Sequence, residues 1–318
     1  MATPPRRPAL SADTDYDVII VGAGSAGLSA ALVLGRCRRE VLVLDGGPPR
    51  NAPSPSVQGF FTRDCTPPAD LLQMGRNQLT PYSSVKIKPW KATKVQKQGG
   101  VFQVETENET GHTTQKTARK ILLATGVEDE LPPLDGFREY WGRGVLHCPY
   151  CHGWEVRDQP LAVYGRGKTV TGLALLVSRW SREVVVCTDG PGGLSAHAQR
   201  RLRKVGIEVR EDKVARLVGG SDGMLRCVEF EDGTYLDRHA LFLHAHQHQR
   251  TQLAEALGCK RTSKGAIKVN KQLQTSLTGI YAAGDATAGL QQAVTAAAEG
   301  ATAAVAINEQ LAREEVPK

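Results

Sequence analysis

The residues best suited to chemistry in this 318-residue sequence are Cys148-Pro149-Tyr150-Cys151-His152-Gly153. Two cysteines separated by two residues stay within bonding reach, and this spacing lowers the pKa of one thiol, so the pair suits a reversible disulfide. His152 follows directly and, with a reference pKa of about 6.5, can move the protons of such an exchange. Other chemistries use the same letters. A zinc centre needs two more ligands at suitable spacing, whereas Cys187, Cys227 and Cys259 stand isolated. Cys-x-x-Cys-His is also the attachment pattern of c-type haem, which requires export, and residues 1–14 carry no apolar run of a secretory signal. Those residues are expected to form a disordered tail on a cytoplasmic protein. A pair of inert buried cysteines fits poorly with the proline between them and the histidine beside them.

Two glycine turns flank this motif at a distance. The first follows the apolar run Tyr16 to Val21 and reads Gly22-Ala23-Gly24-Ser25-Ala26-Gly27, leading into an Ala/Leu-rich helix to about Cys37. Strand, turn and helix together form a dinucleotide fingerprint: one glycine for the tight turn, one for close approach of a pyrophosphate, one for helix packing. Asp45, at the end of the next strand, lies 18 positions after Gly27, near the ~20 expected of a carboxylate on a ribose hydroxyl. The same stretch, Val18 to Gly35, is an 18-residue run without charge, but its four glycines fit a strand, a turn and a buried helix better than a membrane span.

The second turn is Gly165-Arg166-Gly167, after the run Leu161 to Tyr164 and before a helix to about Trp180. Its third small position is Val170, whose β-branched side chain is expected to hinder close packing of helix on strand. Arg166 and Lys168 are expected to be solvated. After the next strand come Cys187-Thr188-Asp189-Gly190; Asp189 would repel a 2′-phosphate but could accept from a 2′-hydroxyl. Between the two turns, a Gly/Pro-rich loop to Gly59 precedes a helix opening at Pro67, Val85 to Val104 alternates like a hairpin, and Lys120 to Ala124 reads as a buried strand ending in Ala124-Thr125-Gly126. Strands alternating with helices predict an α/β fold with largely parallel sheets.

Composition sets the outer limits. A hydrophobic fraction of 41% and a charged fraction of 23% describe a globular chain able to bury a core, and seven cysteines are too few, and odd in number, for a secreted disulfide framework. The 40 Lys+Arg against 33 Asp+Glu give a formal charge of +7. The lysines at 86, 88, 91, 94 and 97 and the run Arg200, Arg201, Arg203, Lys204 suit solvated faces or an acidic protein partner, and no nucleic-acid module accompanies them. His244, His246 and His248 would share one face of a strand; a metal site is one use of them, a polar connector the preferred one.

The Cys-x-x-Cys pair before a second glycine turn, together with Ala124-Thr125-Gly126 and the late segment Gly279-Ile280-Tyr281-Ala282-Ala283-Gly284-Asp285, resembles the low-molecular-weight thioredoxin reductase family. The variant Cys-Pro-Tyr-Cys-His-Gly-Trp-Glu is similar to the subgroup that includes the dithiol oxidases of the gliotoxin and holomycin pathways. The resemblance implies two Rossmann-like, three-layer domains, the second inserted in the first: FAD-binding residues 15–128 and 249–318 around a central NAD(P)-like domain, 129–248. It implies FAD held by Gly22, Gly24, Ser25, Ala26, Gly27, Asp45, Asn51, Val95, Ala124, Thr125, Gly126, Gly284, Asp285, Gln292 and Ala293, with Gln291 where the family commonly has Arg. A helix N-terminus at Gln292-Ala293 would stabilise the negative charge of a reduced flavin. Cys151 would face the flavin, Cys148 would exchange with substrate, and His152 takes the place of a proton-moving Asp.

Three activities are compatible with these residues. One is a thioredoxin reductase-like enzyme fed by NADPH, NADH or a non-pyridine donor such as ferredoxin, acting on thioredoxin or another disulfide. The second is an FAD-dependent oxidase of a small-molecule dithiol, with oxygen as acceptor. The third is a non-enzymatic flavin redox sensor. The resemblance also implies a homodimer.

Overall fold

The computed structural model describes residues 14–316; the expected N-terminal tail lies, but for Thr14, outside them. The chain opens with β1 (Tyr16–Val21), α1 (Ser25–Arg36) and β2 (Val41–Leu44), then α2 (Pro68–Gln78), β3 (Val85–Lys88), β4 (Lys91–Gln98), β5 (Val101–Glu107) and β6 (Thr113–Leu123). Next come β7 (Val127–Glu130), β8 (Val145–Leu146), the one-turn α3 (Pro149–His152), β9 (Leu161–Tyr164), α4 (Gly167–Val177), β10 (Val184–Cys187), α5 (Ala196–Lys204) and β11 (Glu208–Arg210). A meander of β12 (Val214–Gly219), β13 (Leu225–Phe230) and β14 (Tyr235–Asp237) precedes β15 (Ala240–Leu243) and β16 (His246–Gln249). The chain then runs through α6 (Leu253–Ala256), β17 (Ile280–Ala282) and the long α7 (Ala293–Glu314).

These elements form two compact units, one of residues up to Arg50, Ala69–Glu128 and His248 onward, the other of Asn51–Pro68 and Asp129–Gln247. The first holds a seven-stranded sheet in the order β3-β2-β1-β6-β5-β4, with β17 also on β6. β1, β2, β3, β6 and β17 are parallel, whereas β4 and β5 are antiparallel. Alternation along the buried strands sorts the core into two layers. Val18, Ile20, Val41 and Val43 pack with Ala30 and Leu34 of α1 and Ala303, Ala304 and Ile307 of α7. Ile19, Val21, Leu42 and Leu44 face Phe102, Val104 and Leu253 on the other side.

The second unit repeats the plan with a five-stranded parallel sheet, β11-β10-β9-β15-β8. Leu161 and Val163 pack with Val170, Leu173 and Ala174 of α4 on one face; Ala162, Val185 and Leu241 pack on Val214, Leu225, Val228 and Phe230 of the meander on the other. The fold is therefore α/β with two three-layer, Rossmann-like units. Among the described residues no helix is long and apolar enough to cross a membrane; Val18 to Gly35 is β1, the turn and most of α1.

Three sequence expectations change. Val85 to Val104 is not one hairpin: β3 pairs in parallel with β2, Val41 opposite Val85, and the hairpin is β4 with β5, because Pro89-Trp90 breaks the run. Only His246 and His248 of the three histidines share a strand, since β16 begins at His246. The segment Asn51–Pro68 clusters with the second unit, where Gly142, at φ +83, leaves no room for a side chain beside Pro53.

Candidate functional site

Register places the first unit's turns at one edge of its sheet. Leu44 is paired with Val21, Val21 with Leu123, and Leu123 with Ala282, so β2, β1, β6 and β17 all end level at their carboxyl ends. That end of an open parallel sheet is where ligands bind. Gly22 to Gly27, Asp45, Ala124 to Gly126, and Gly284-Asp285 leave from that row. Gly22 takes φ +112, and a side chain there would strike the Ala124 carbonyl; one at Gly27 would strike the Gly22 carbonyl oxygen. Gly24, the extended N-cap of α1, instead faces open space, and no side chain caps the helix. The N-terminal N–H groups of α1 are thus left for an anion.

The flanking polar groups fit the same ligand. One oxygen of the Asp45 carboxylate accepts from Arg76 Nη2 at 2.7 Å. Gly126, at φ +69, adjoins open space. Gly284, at φ +74, opens a short 3-10 turn whose N–H donates to Glu299 Oε2 at 2.7 Å, and Thr287 Oγ1 donates to the same oxygen at 3.1 Å. Asp285 pairs with Arg50 Nη1 at 3.0 Å, and Arg50 also donates to Gln291 Oε1 at 2.8 Å. Gln292 is the N-cap of α7 and Ala293 its first residue. Val95 is an interior residue of β4, 5% exposed and opposite Val104. Asn51 is exposed and begins the segment assigned to the second unit. Open glycine backbone, an uncapped helix N-terminus and a carboxylate at the end of β2 fit the adenosine diphosphate portion of FAD. Arg50, Arg76 and Glu299 were invisible to sequence reasoning, because each acts through contacts that no motif spacing encodes.

The second unit has the same level row, with Arg210 paired to Cys187, Cys187 to Tyr164 and Tyr164 to Leu243, but the row is filled by the chain itself. Gly167 takes φ +67 where Gly24 is extended, and its N–H donates to the Gly192 carbonyl at 2.9 Å. The loop that brings Gly192 there is pinned: Thr188 Oγ1 donates to the Gly190 carbonyl at 2.6 Å, and Gly192 N–H donates to Glu211 Oε1 at 3.1 Å. Arg166 is not simply solvated. Its Nε donates to the Thr188 carbonyl at 2.8 Å and its Nη2 to the Asp189 carbonyl. The Asp189 carboxylate accepts from Val214 N–H at 3.0 Å and from the Tyr164 hydroxyl at 3.2 Å. Burial, and then the Asp189 charge, push Tyr164 up to about 12, so it stays a neutral donor. Val170 does not hinder packing. It is 2% exposed in the core under α4, and a Cβ built on Gly165 would meet it only at an ordinary 3.6 Å.

Cys148 and Cys151 form a disulfide with a Cα–Cα separation of 5.2 Å. Cys148 is the extended N-cap of α3 and Pro149 its first residue; the Cys148 carbonyl accepts from the N–H of Cys151 and of His152. A Cβ on Gly153 would lie 2.5 Å from the Pro149 carbonyl oxygen and 2.8 Å from the Trp180 ring, so glycine lets the turn close against that indole. Tyr150 and Trp154 are both 65% exposed beside the pair, and the Arg157 guanidinium lies 4.0 Å from the Trp154 ring centroid. His152 is mostly buried, its Nε2 is 3.1 Å from Ser54 Oγ, and burial pushes its pKa down, with the Cys148 carbonyl opposing. The other five cysteines are free. Burial raises the pKa of Cys187 to about 12 and raises those of Cys227 and Cys259, which disfavours the reactive thiolate at these positions. His246 Nδ1 lies 3.4 Å from the exposed Glu130 carboxylate.

Residues 16–300 match the family model described as pyridine nucleotide-disulphide oxidoreductase. A thioredoxin reductase, tcpT, of Claviceps purpurea is 31% identical, covering 95% of this chain and 96% of its own length. Among solved structures, a putative thioredoxin reductase from Bacillus anthracis is 34% identical with a TM-score of 0.88, covering 95% of this chain and all of its own. HlmI is 38% identical with a TM-score of 0.87, covering 94% and 93%. With the open dinucleotide turn and the Cys148–Cys151 disulfide, these matches make the chain a member of the pyridine nucleotide-disulphide oxidoreductase family, a thioredoxin reductase-like, FAD-dependent disulfide oxidoreductase.

Proposed function

We propose that this enzyme oxidises a dithiol through Cys148 and Cys151 and does not draw electrons from a pyridine nucleotide. The observation that carries this reading is the Gly167 N–H bonded to the Gly192 carbonyl: the donor that a nucleotide pyrophosphate would need is already spent. Arg166 and Asp189 are likewise engaged with the chain instead of being free for a ribose or its phosphate. The substrate dithiol and the Cys148–Cys151 disulfide exchange to give a substrate disulfide and two protein thiols. FAD, when bound, takes up two electrons from a dithiol and can hand them to oxygen. His152, neutral because it is buried, takes a thiol proton. The exposed Tyr150 and Trp154 offer an aromatic rim suited to a small apolar dithiol.

A thioredoxin-like protein as the dithiol partner, or reduction of a disulfide with electrons from an acidic carrier such as ferredoxin, is the second reading. The names of the relatives favour it, as does α5, which ends in Arg200, Arg201, Arg203 and Lys204. The homodimer implied by the sequence resemblance belongs to either version and is read by sedimentation. Oxygen uptake with a small dithiol decides between them: dependence on the dithiol, abolished in Cys148→Ser, is the expected result. No uptake, combined with reduction of a disulfide by reduced ferredoxin, reverses the direction.

A further inference from the structure

We propose that Ser54 is a positioning residue that fixes the tautomer of His152, keeping Nδ1 bare as the proton acceptor for the Cys148/Cys151 dithiol. A hydroxyl has one hydrogen to give. Ser54 Oγ lies 2.8 Å from the Ser56 carbonyl oxygen, which can only accept, so the hydrogen is committed there. The same Oγ lies 3.1 Å from His152 Nε2. That contact is a hydrogen bond only when Nε2–H is the donor, which places the lone pair of the neutral ring on Nδ1.

The opposite end of the ring agrees. Nδ1 of His152 is buried and has no hydrogen-bond partner, an arrangement proteins rarely leave without a reason. The other tautomer would set the Nε2 lone pair against those of the serine. A proton arriving at Nδ1 is not stranded, because the Cys148 carbonyl near the ring favours the protonated form. Ser54 is itself held: it is 9% exposed, and its N–H donates to the Asn51 carbonyl at 3.0 Å. It lies 98 positions before His152, in the segment that clusters with the disulfide's own unit.

The step is a proton transfer alone. Exchange with substrate leaves Cys148 and Cys151 as two thiols; one S–H bond breaks, the proton bonds to Nδ1, and a thiolate and an imidazolium result with no change of oxidation state. The inference rests on His152 as the proton carrier, and its test separates the two. In the holoenzyme labelled with 15N-histidine, a multiple-bond 1H–15N spectrum, assigned with His152→Gln, is expected to show His152 protonated at Nε2 and bare at Nδ1. Ser54→Ala should yield a tautomer mixture and a kcat with dithiol lowered about fivefold, the factor for one net hydrogen bond, with KM unchanged. Ser54→Thr should restore both. A wild-type ring protonated at Nδ1, or wild-type spectrum and kcat in Ser54→Ala, overturns the role of Ser54. An unchanged kcat in His152→Gln instead overturns the proton carrier, whatever the spectrum shows.

Discussion

The two glycine turns start from the same sequence idea and end differently. Both follow a short parallel strand whose end is level with its neighbours, and both lead into a helix. At the first, backbone closes on backbone: Gly22 and Gly27 have no room for a Cβ, and the space is left around Gly24. At the second, Gly167 turns left-handed, and its N–H, the Arg166 guanidinium and the Asp189 carboxylate are all satisfied by the chain. A loop thus supplies hydrogen bonds at the second turn while the sheet and its core are kept, and on the function proposed above this empties the dinucleotide fold of its ligand.

Substitutions at matched positions probe this contrast. The largest effect is expected from Gly27→Ala, which forces a Cβ into the Gly22 carbonyl; the protein should purify without flavin, read as 450 nm absorbance per chain. Gly167→Ala meets open space and pays only for its φ of +67, about 1 kcal/mol, lowering Tm by a few degrees with flavin content unchanged. Asp285→Ala removes a charge-assisted bond to Arg50 and, on the role the family resemblance implies for it, a carboxylate that would hold FAD. FAD affinity should fall about tenfold or more, measured by fluorescence on reconstitution.

The pH response follows from His152, whose pKa burial lowers. A base with a lowered pKa stays neutral as pH falls through its ordinary value of about 6.5, so dithiol turnover should hold there and decline only below it. In His152→Gln that acid limb should vanish. The linkage has the matching sign: the unfolded chain binds this proton more readily, so stability is full above the unfolded pKa and is lost as pH falls through the folded one. The smallest effect is expected from Arg166→Ala. It loses bonds to Thr188 and Asp189 on a half-exposed side chain, about 1 kcal/mol in thermal stability, with turnover unchanged. No NADPH binding should appear by calorimetry, because Gly192 still caps Gly167.

What the sequence made legible was local. Short buried strands, glycine turns and the Cys148/Cys151 spacing each lie within a few residues, so periodicity and motif chemistry read them directly. The closure of the second turn depends instead on Gly192, 25 positions after Gly167, and on Glu211, 19 after Gly192. No spacing rule foretells that pairing, so the sequence draws attention to Val170 and not to the loop that bonds Gly167. The same limit hid Arg50, 235 positions from Asp285, and Ser54, which in a Gly/Pro-rich stretch reads as an ordinary turn residue. The hairpin boundary was missed because β3 alternates as an antiparallel strand does while pairing in parallel at the sheet's edge.

The closure of the second turn is tested most directly by anaerobic stopped-flow titration of the oxidised holoenzyme, followed at the flavin absorbance, with dithiothreitol, NADPH and NADH in parallel. The expected result is bleaching by dithiothreitol that is lost in Cys148→Ser and Cys151→Ser, with no bleaching by either nucleotide on the timescale of turnover. Rapid stoichiometric reduction by NADPH or NADH would contradict the account, because a nucleotide would then have displaced the Gly192 carbonyl from Gly167 and the second turn would be a working site.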